Sequence, residues 1–118
     1  MPNPLQITAD PITMLMDYEV EAGRQHEMIS AITELVARHF AHVPGFISST
    51  FHAAEDGRRV IGYSRWASLA QLEAATGPDN PATPHIIAAL ERCGGRRTAV
   101  TRFDAGRTVR GATSLATA

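Results

Sequence analysis

The chain has 118 residues, 44% of them hydrophobic and 19% charged, with a formal net charge of −1. That is enough chain for one globular domain with a real core, spanning residues 1–118, and not enough for two. A charge near zero gives no electrostatic basis for binding nucleic acid or an anionic membrane.

All eleven basic residues are arginine, which reads as the mark of a GC-rich coding sequence rather than as a guanidinium surface. The one cysteine, Cys93, excludes an internal disulfide and a cysteine zinc site. The opening "MPNPLQITADP" has neither the basic nor the apolar region of a signal peptide, and no apolar run could span a bilayer. A reducing cytoplasm is the expected compartment.

After the proline-rich lead, "ITMLMDYEV" (12–20) alternates, with Ile12, Met14, Met16, Tyr18 and Val20 on one side, and predicts a strand. From about 23 to 40, Met28, Ile29, Ile32, Leu35, Val36 and Phe40 follow helical spacing. Pro44 and Gly45 close that helix. Strands are expected at 46–54 and 58–66, joined by the turn residues "EDG". Ser68 and Gln71 form a capping box for a helix to about Ala75, and "TGPDNPATP" reads as a loop. Thr83 as N-cap and Pro84 at the first position open another helix, with Ile86, Ile87, Leu90 and Cys93 on one side and Gly94 and Gly95 ending it. "RTAVTRFD" (97–104) is a last strand, and the tail "RGATSLATA" is loose or reaches a neighbour. The structured core is thus about 11–105. The order β-α-β-β-α-β defines an α+β, ferredoxin-like subunit with an antiparallel sheet and helices on one face.

A three-residue turn at 55–57 sets Ala54 opposite Arg58, His52 opposite Val60, Thr50 opposite Gly62, Ser48 opposite Ser64 and Phe46 opposite Trp66. One face then carries Phe46, Ser48, Thr50, His52, Val60, Gly62, Ser64 and Trp66. The other carries Ile47, Ser49, Phe51, Ile61, Tyr63 and Arg65. Aromatic residues on both faces predict that two sheets pack together in a homodimer, with Tyr63 and Arg65 at its interface. Small polar residues between His52 and Trp66 predict an under-filled space beneath the helices, suited to a small molecule.

The stretch "HVPGFISSTFHAAEDGRRVIGYSRWASLAQLEAA" (42–75) resembles the signature region of the antibiotic biosynthesis monooxygenase family. The resemblance implies a dimeric α+β barrel and, for the best-studied members, cofactor-independent oxygenases that turn polyketide anthrones or naphthacenones into quinones with O2. No metal or other cofactor is implied. The polyketide oxygenases resembled here carry His and Trp at the positions of His52 and Trp66. They carry Asn where Gly62 stands, Tyr at Leu72 and Arg at about Ile86.

These residues lead to one expected site. His52, with a reference pKa of about 6.5, would take a phenolic proton, and Trp66 would offer a stacking wall and an N–H. Phe46, Ser48, Thr50, Gly62, Ser64, Leu72, His85 and Ile86 would line the pocket around an aromatic polycyclic ligand. A non-catalytic binding protein on the same scaffold is the second expectation, motivated by Gly62, Leu72 and Ile86. A haem-binding member with His85 as axial ligand is the third.

Overall fold

The computed structural model describes residues 8–9, 11–104 and 106–112. In chain order the elements are β1 (Thr8–Ala9), β2 (Ile12–Glu19), α1 (Gln25–Phe40), β3 (Phe46–Ala53), β4 (Arg59–Trp66), α2 (Leu69–Ala75), α3 (Ala82–Arg92), β5 (Arg96–Phe103) and β6 (Arg107–Thr108). The long strands form one antiparallel sheet in the order β3-β4-β2-β5. This is the ferredoxin-like α+β arrangement expected from the order of periodicities. The short β1 and β6 pair with each other, Thr8 opposite Thr108 and Ala9 opposite Arg107, so ordered pairing reaches past both ends of the expected core. The tail beyond 112 lies outside the described residues.

Local chemistry explains most boundaries. Gly45 has φ 88° after Pro44, and the Phe46 N–H donates to the Val43 carbonyl at 3.1 Å, as a Pro-Gly turn of type II requires. Ser68 caps α2 by accepting from the Gln71 N–H at 3.2 Å while its hydroxyl donates to Gln71 Oε1 at 3.0 Å. Helix α3 starts earlier than expected. Its first N–H, of Ala82, donates to Asn80 Oδ1 at 2.9 Å, so Asn80 rather than Thr83 supplies the side-chain acceptor, and Pro84 lies within the first turn, where no N–H is needed.

The central hairpin departs from the expected register. Ala53 faces Val60, His52 faces Ile61, Phe51 faces Gly62, Thr50 faces Tyr63, Ser49 faces Ser64 and Ser48 faces Arg65. The Ala54 N–H donates to the Arg59 carbonyl at 2.9 Å, so the loop holds four residues, Glu55–Arg58, and not three. Asp56 Oδ1 accepts the N–H groups of both Arg58 and Arg59, at 2.8 and 3.1 Å. Those hydrogen bonds hold its carboxyl below the usual carboxylate range. A bulge at Ile47 absorbs the extra residue, so Phe46 still faces Trp66.

A helix residue sets this register from outside the hairpin. The buried Gln25 amide donates to the carbonyls of Ala54 and Arg59, at 2.8 and 2.7 Å. Both carbonyls belong to the pair that opens the loop. Gln25→Leu would remove both donors from a buried site. The expected loss is about 1–3 kcal/mol, measured by urea denaturation, and an unchanged midpoint would refute the clamp.

The helices bury two patches of the sheet. Met16, Tyr18 and Val60 meet Met28, Ile32, Ala89 and Leu90 in one. Trp66 meets Phe40, Leu72 and Ala82 in the other. Edge strand β5 is exposed along its whole length, so the helical layer stops short of it.

Candidate active site

Where that layer stops, a cavity of about 440 Å³ opens between the sheet and helices α1 and α3. The sheet face beneath it consists of Met14, Met16 and Tyr18 from β2, Ser64 and Trp66 from β4, and Ser49 and Phe51 from β3. Ile32, Val36, Phe40 and Ile86 form the helical side, and the loop of Thr76, Gly77, Pro78 and Asn80 closes one end. A mostly apolar wall with a few hydroxyl and amide groups suits a flat aromatic molecule.

Trp66 is 2% exposed and stands edge-on to Phe46 and Phe40, with ring centroids 5.2 and 6.2 Å away. Its Nε1–H donates to the buried Ser64 Oγ at 3.1 Å, so the indole proton is held inside the protein. The ring is a fixed wall, and Ser64 keeps its own hydroxyl proton for a partner.

Of the residues expected at the site, Phe46, Ser64, Trp66 and Ile86 line this cavity. The others do not. The one-residue shift turns Ser48, Thr50 and His52 to the open face of the sheet. There the His52 ring stacks on Tyr63, with centroids 6.0 Å apart. Gly62 is buried under Phe51: a Cβ at this position would lie 2.5 Å from the Phe51 ring. Leu72 is fully buried in the core cluster around Trp66. His85 is exposed on the outer side of α3 and stacks on His39 at 5.6 Å, so it cannot serve as an axial ligand inside the cavity.

Two cationic groups and a phenol were not anticipated from the sequence. Arg97, Val100 and Arg102 of β5 line the cavity. Simple alternation would place 97, 99 and 101 together. A register shift after Asp17 instead pairs Arg97 with Tyr18, Val100 with Met16 and Arg102 with Met14, all on the side of the sheet that faces the cavity. Tyr18 is 3% exposed, and its hydroxyl donates to the Met16 thioether at 3.3 Å, a weak acceptor. Burial pushes the Tyr18 phenol above its ordinary range, partly offset by the Arg97 charge. Among the described residues that line the cavity there is no histidine, aspartate or glutamate. No three His, Cys, Asp or Glu side chains converge as metal ligands among the described residues.

Cys93 is buried at the end of α3, with its thiol donating to Glu27 at 3.5 Å. Burial and that carboxylate push the thiol up, away from the thiolate form.

A small ferredoxin-like α+β subunit with an aromatic-walled cavity between sheet and helices is the class that fold and cavity define. The chain belongs to the antibiotic biosynthesis monooxygenase family, whose model matches residues 11–91. It is 32% identical over 65 residues to the tetracenomycin-F1 monooxygenase of Streptomyces glaucescens, a match that takes in 55% of this chain and 58% of that protein. The chain thus spans little more than half of that relative's length.

Among solved structures, ActVA-Orf6 of Streptomyces coelicolor, a monooxygenase crystallised with nanaomycin D, superposes with a TM-score of 0.65 at 27% identity. That likeness covers 87% of this chain and 90% of ActVA-Orf6. SnoaB of Streptomyces nogalater, described as a cofactor-independent oxygenase, superposes at 0.68 with 21% identity, over 86% of this chain and 99% of SnoaB, and supports the fold. Among the described residues no helix is long and apolar enough to cross a membrane.

Proposed function

We propose that this chain is a cofactor-independent monooxygenase that oxidises a flat phenolic polycycle to a quinone in the cavity walled by Trp66, working as a homodimer in the cytoplasm. The observation that carries the proposal is the aromatic and thioether cavity itself, in a member of this family. ActVA-Orf6 was crystallised with nanaomycin D, which supports a polyketide ligand. In such a reaction an activated ring methylene is oxidised by four electrons, two to each atom of O2: both C–H bonds break, and their two protons leave with the second oxygen atom as water. The first oxygen atom becomes the new carbonyl. The substrate carbanion or phenolate supplies the electrons, so the protein needs to exclude water and hold developing negative charge.

Oxygen uptake with an anthrone, in enzyme stripped by chelator, tests the proposal. One O2 consumed per quinone formed is the expected result. A folded protein that consumes none across anthrones and hydroquinones would overturn it.

The absence of a histidine or carboxylate among the described cavity residues favours a second reading, a non-catalytic carrier of the same ligands. A carrier would quench Trp66 fluorescence on binding and return the ligand unchanged.

The open sheet face supports the proposal of a dimer. Phe103, 47% exposed, pairs there with Thr13, and Leu15, Tyr63 and Ile61 lie on the same face. Sedimentation should give twice the chain mass, and Phe103→Asp should shift it toward monomer.

A further inference from the structure

We propose that Arg97, with the Tyr18 hydroxyl, forms an oxyanion subsite, so that the ligand of the cavity is a flat polycycle carrying a negatively charged oxygen at one end. This inference deepens the reading of the cavity as a pocket for phenolic polycycles and rests on it.

Arg97 and Tyr18 are direct cross-strand partners on the cavity side of the sheet, at Cβ separations of about 5 Å for such pairs. Both also border a second cavity of about 320 Å³ that continues between α3 and β5. The two spaces share Tyr18, Thr83, Ile86 and Arg97, so the pair stands where the aromatic pocket passes into an open cleft. Trp66 borders only the first cavity, which makes the arginine and the indole separate features of one elongated space.

The ion pairing of its neighbours on the strand sets Arg97 apart. Arg96 is matched to Glu19 at 3.0 Å, and Arg102 to Glu73 at 3.4 Å. Arg97 makes no ion pair among the described residues. The carboxylate that borders its cleft, Glu91 on α3, is not within ion-pair distance. An arginine on an apolar cavity wall, without a carboxylate of its own, is suited to recognise an oxyanion through charge-assisted hydrogen bonds.

Tyr18 adds a second donor. Its proton now goes to a thioether, so a ligand oxygen would be the better acceptor and gain the bond at small loss. The subsite also meets a chemical need. With no base among the described cavity residues, a phenolic substrate reacts only if its anion is stabilised where it binds; the guanidinium stabilises the phenolate while the phenolic proton passes to solvent water at the open cleft.

The shared chemistry is an oxyanion, and its source is a carboxylate substituent or an ionised ring hydroxyl. Three anthracene probes separate these by Trp66 quenching: 2-anthracenecarboxylate, 2-anthrol and neutral 2-anthracenemethanol. Wild type should bind the carboxylate, or the anthrol above the pH of its ionisation, about tenfold more tightly than the alcohol. A preference for the carboxylate alone assigns a substituent acid, and a preference for the ionised anthrol assigns a ring oxyanion.

Arg97→Gln, on an exposed strand, should abolish the preference, bringing the affinity for the acid down to about that for the alcohol. Arg97→Lys should keep part of the preference, and Tyr18→Phe should reduce it. Equal binding of acid and alcohol by wild type, or a preference that survives Arg97→Gln, overturns the subsite while the alcohol's binding still upholds the pocket. If no probe quenches Trp66, the pocket reading falls and the subsite with it.

Discussion

Trp66→Ala should leave the chain close to unfolded. Removing a buried indole typically lowers stability by roughly 3–5 kcal/mol, against a total of about 5–15 kcal/mol for a small domain. The ring is 2% exposed and joins Phe40, Leu72 and Ala82 in one cluster, so its loss would empty the end of the core where α1, α2 and β4 meet. Trp66→Phe separates packing from the indole proton. It keeps aromatic contact with Phe40 and Phe46 but gives up the 3.1 Å bond to Ser64, and about 1–2 kcal/mol should go. Urea titrations followed by circular dichroism read both variants. Full stability of the alanine variant, with loss of ligand binding only, would show Trp66 to be a ligand contact and not part of the core.

Gly62→Asn is the second large effect. A Cβ at this position meets Phe51 Cε1 at 2.5 Å and Cδ1 at 2.6 Å, closer than real contacts allow. The Phe51 ring must leave the sheet surface or the strands must part, and overpacking of this kind costs about 1–3 kcal/mol. Phe51→Ala in the same chain should recover most of that loss, because the two residues face each other across β3 and β4. A Gly62→Asn variant as stable as wild type, with Phe51 unmoved, would contradict the account. The resemblance to polyketide oxygenases implies an Asn at this position. Here the volume is filled by an aromatic ring from the neighbouring strand, which explains why Gly62 is small without reference to the ligand.

The alternation of Ile12 to Val20, the stripe from Met28 to Phe40 and the Pro-Gly and Asp-Gly turns marked the elements because each is a local signal. The family resemblance lay in residues 42–75. The site was less legible, because its composition depends on register. The residues of "EDG" show a turn but not its length. The length is fixed by Gln25, nearly 30 positions earlier, and by the two N–H groups that Asp56 accepts. A shift of one residue exchanged Ser49 and Phe51 for Ser48, Thr50 and His52 at the cavity wall. Arg97 and Arg102 were hidden for a similar reason, since the irregularity in β5 breaks the period of two that would have placed them. The arginine bias also concealed them: a chain with no lysine makes every cation look like a coding habit.

The bulge at Ile47 and the four-residue loop at 55–58 compensate each other. Without both, the ladder between β3 and β4 would be regular, and Phe46 would still face Trp66 across it. The residues between them would be turned over. A histidine would then enter the cavity and Phe51 would leave it. Contraction of this solvent-exposed loop to three residues, with Ala54 paired to Arg58 and not to Arg59, would therefore rewrite the chemistry of the wall without substituting a single wall residue. For chains of this architecture, the count of residues between the central strands is as much a determinant of the site as their identities.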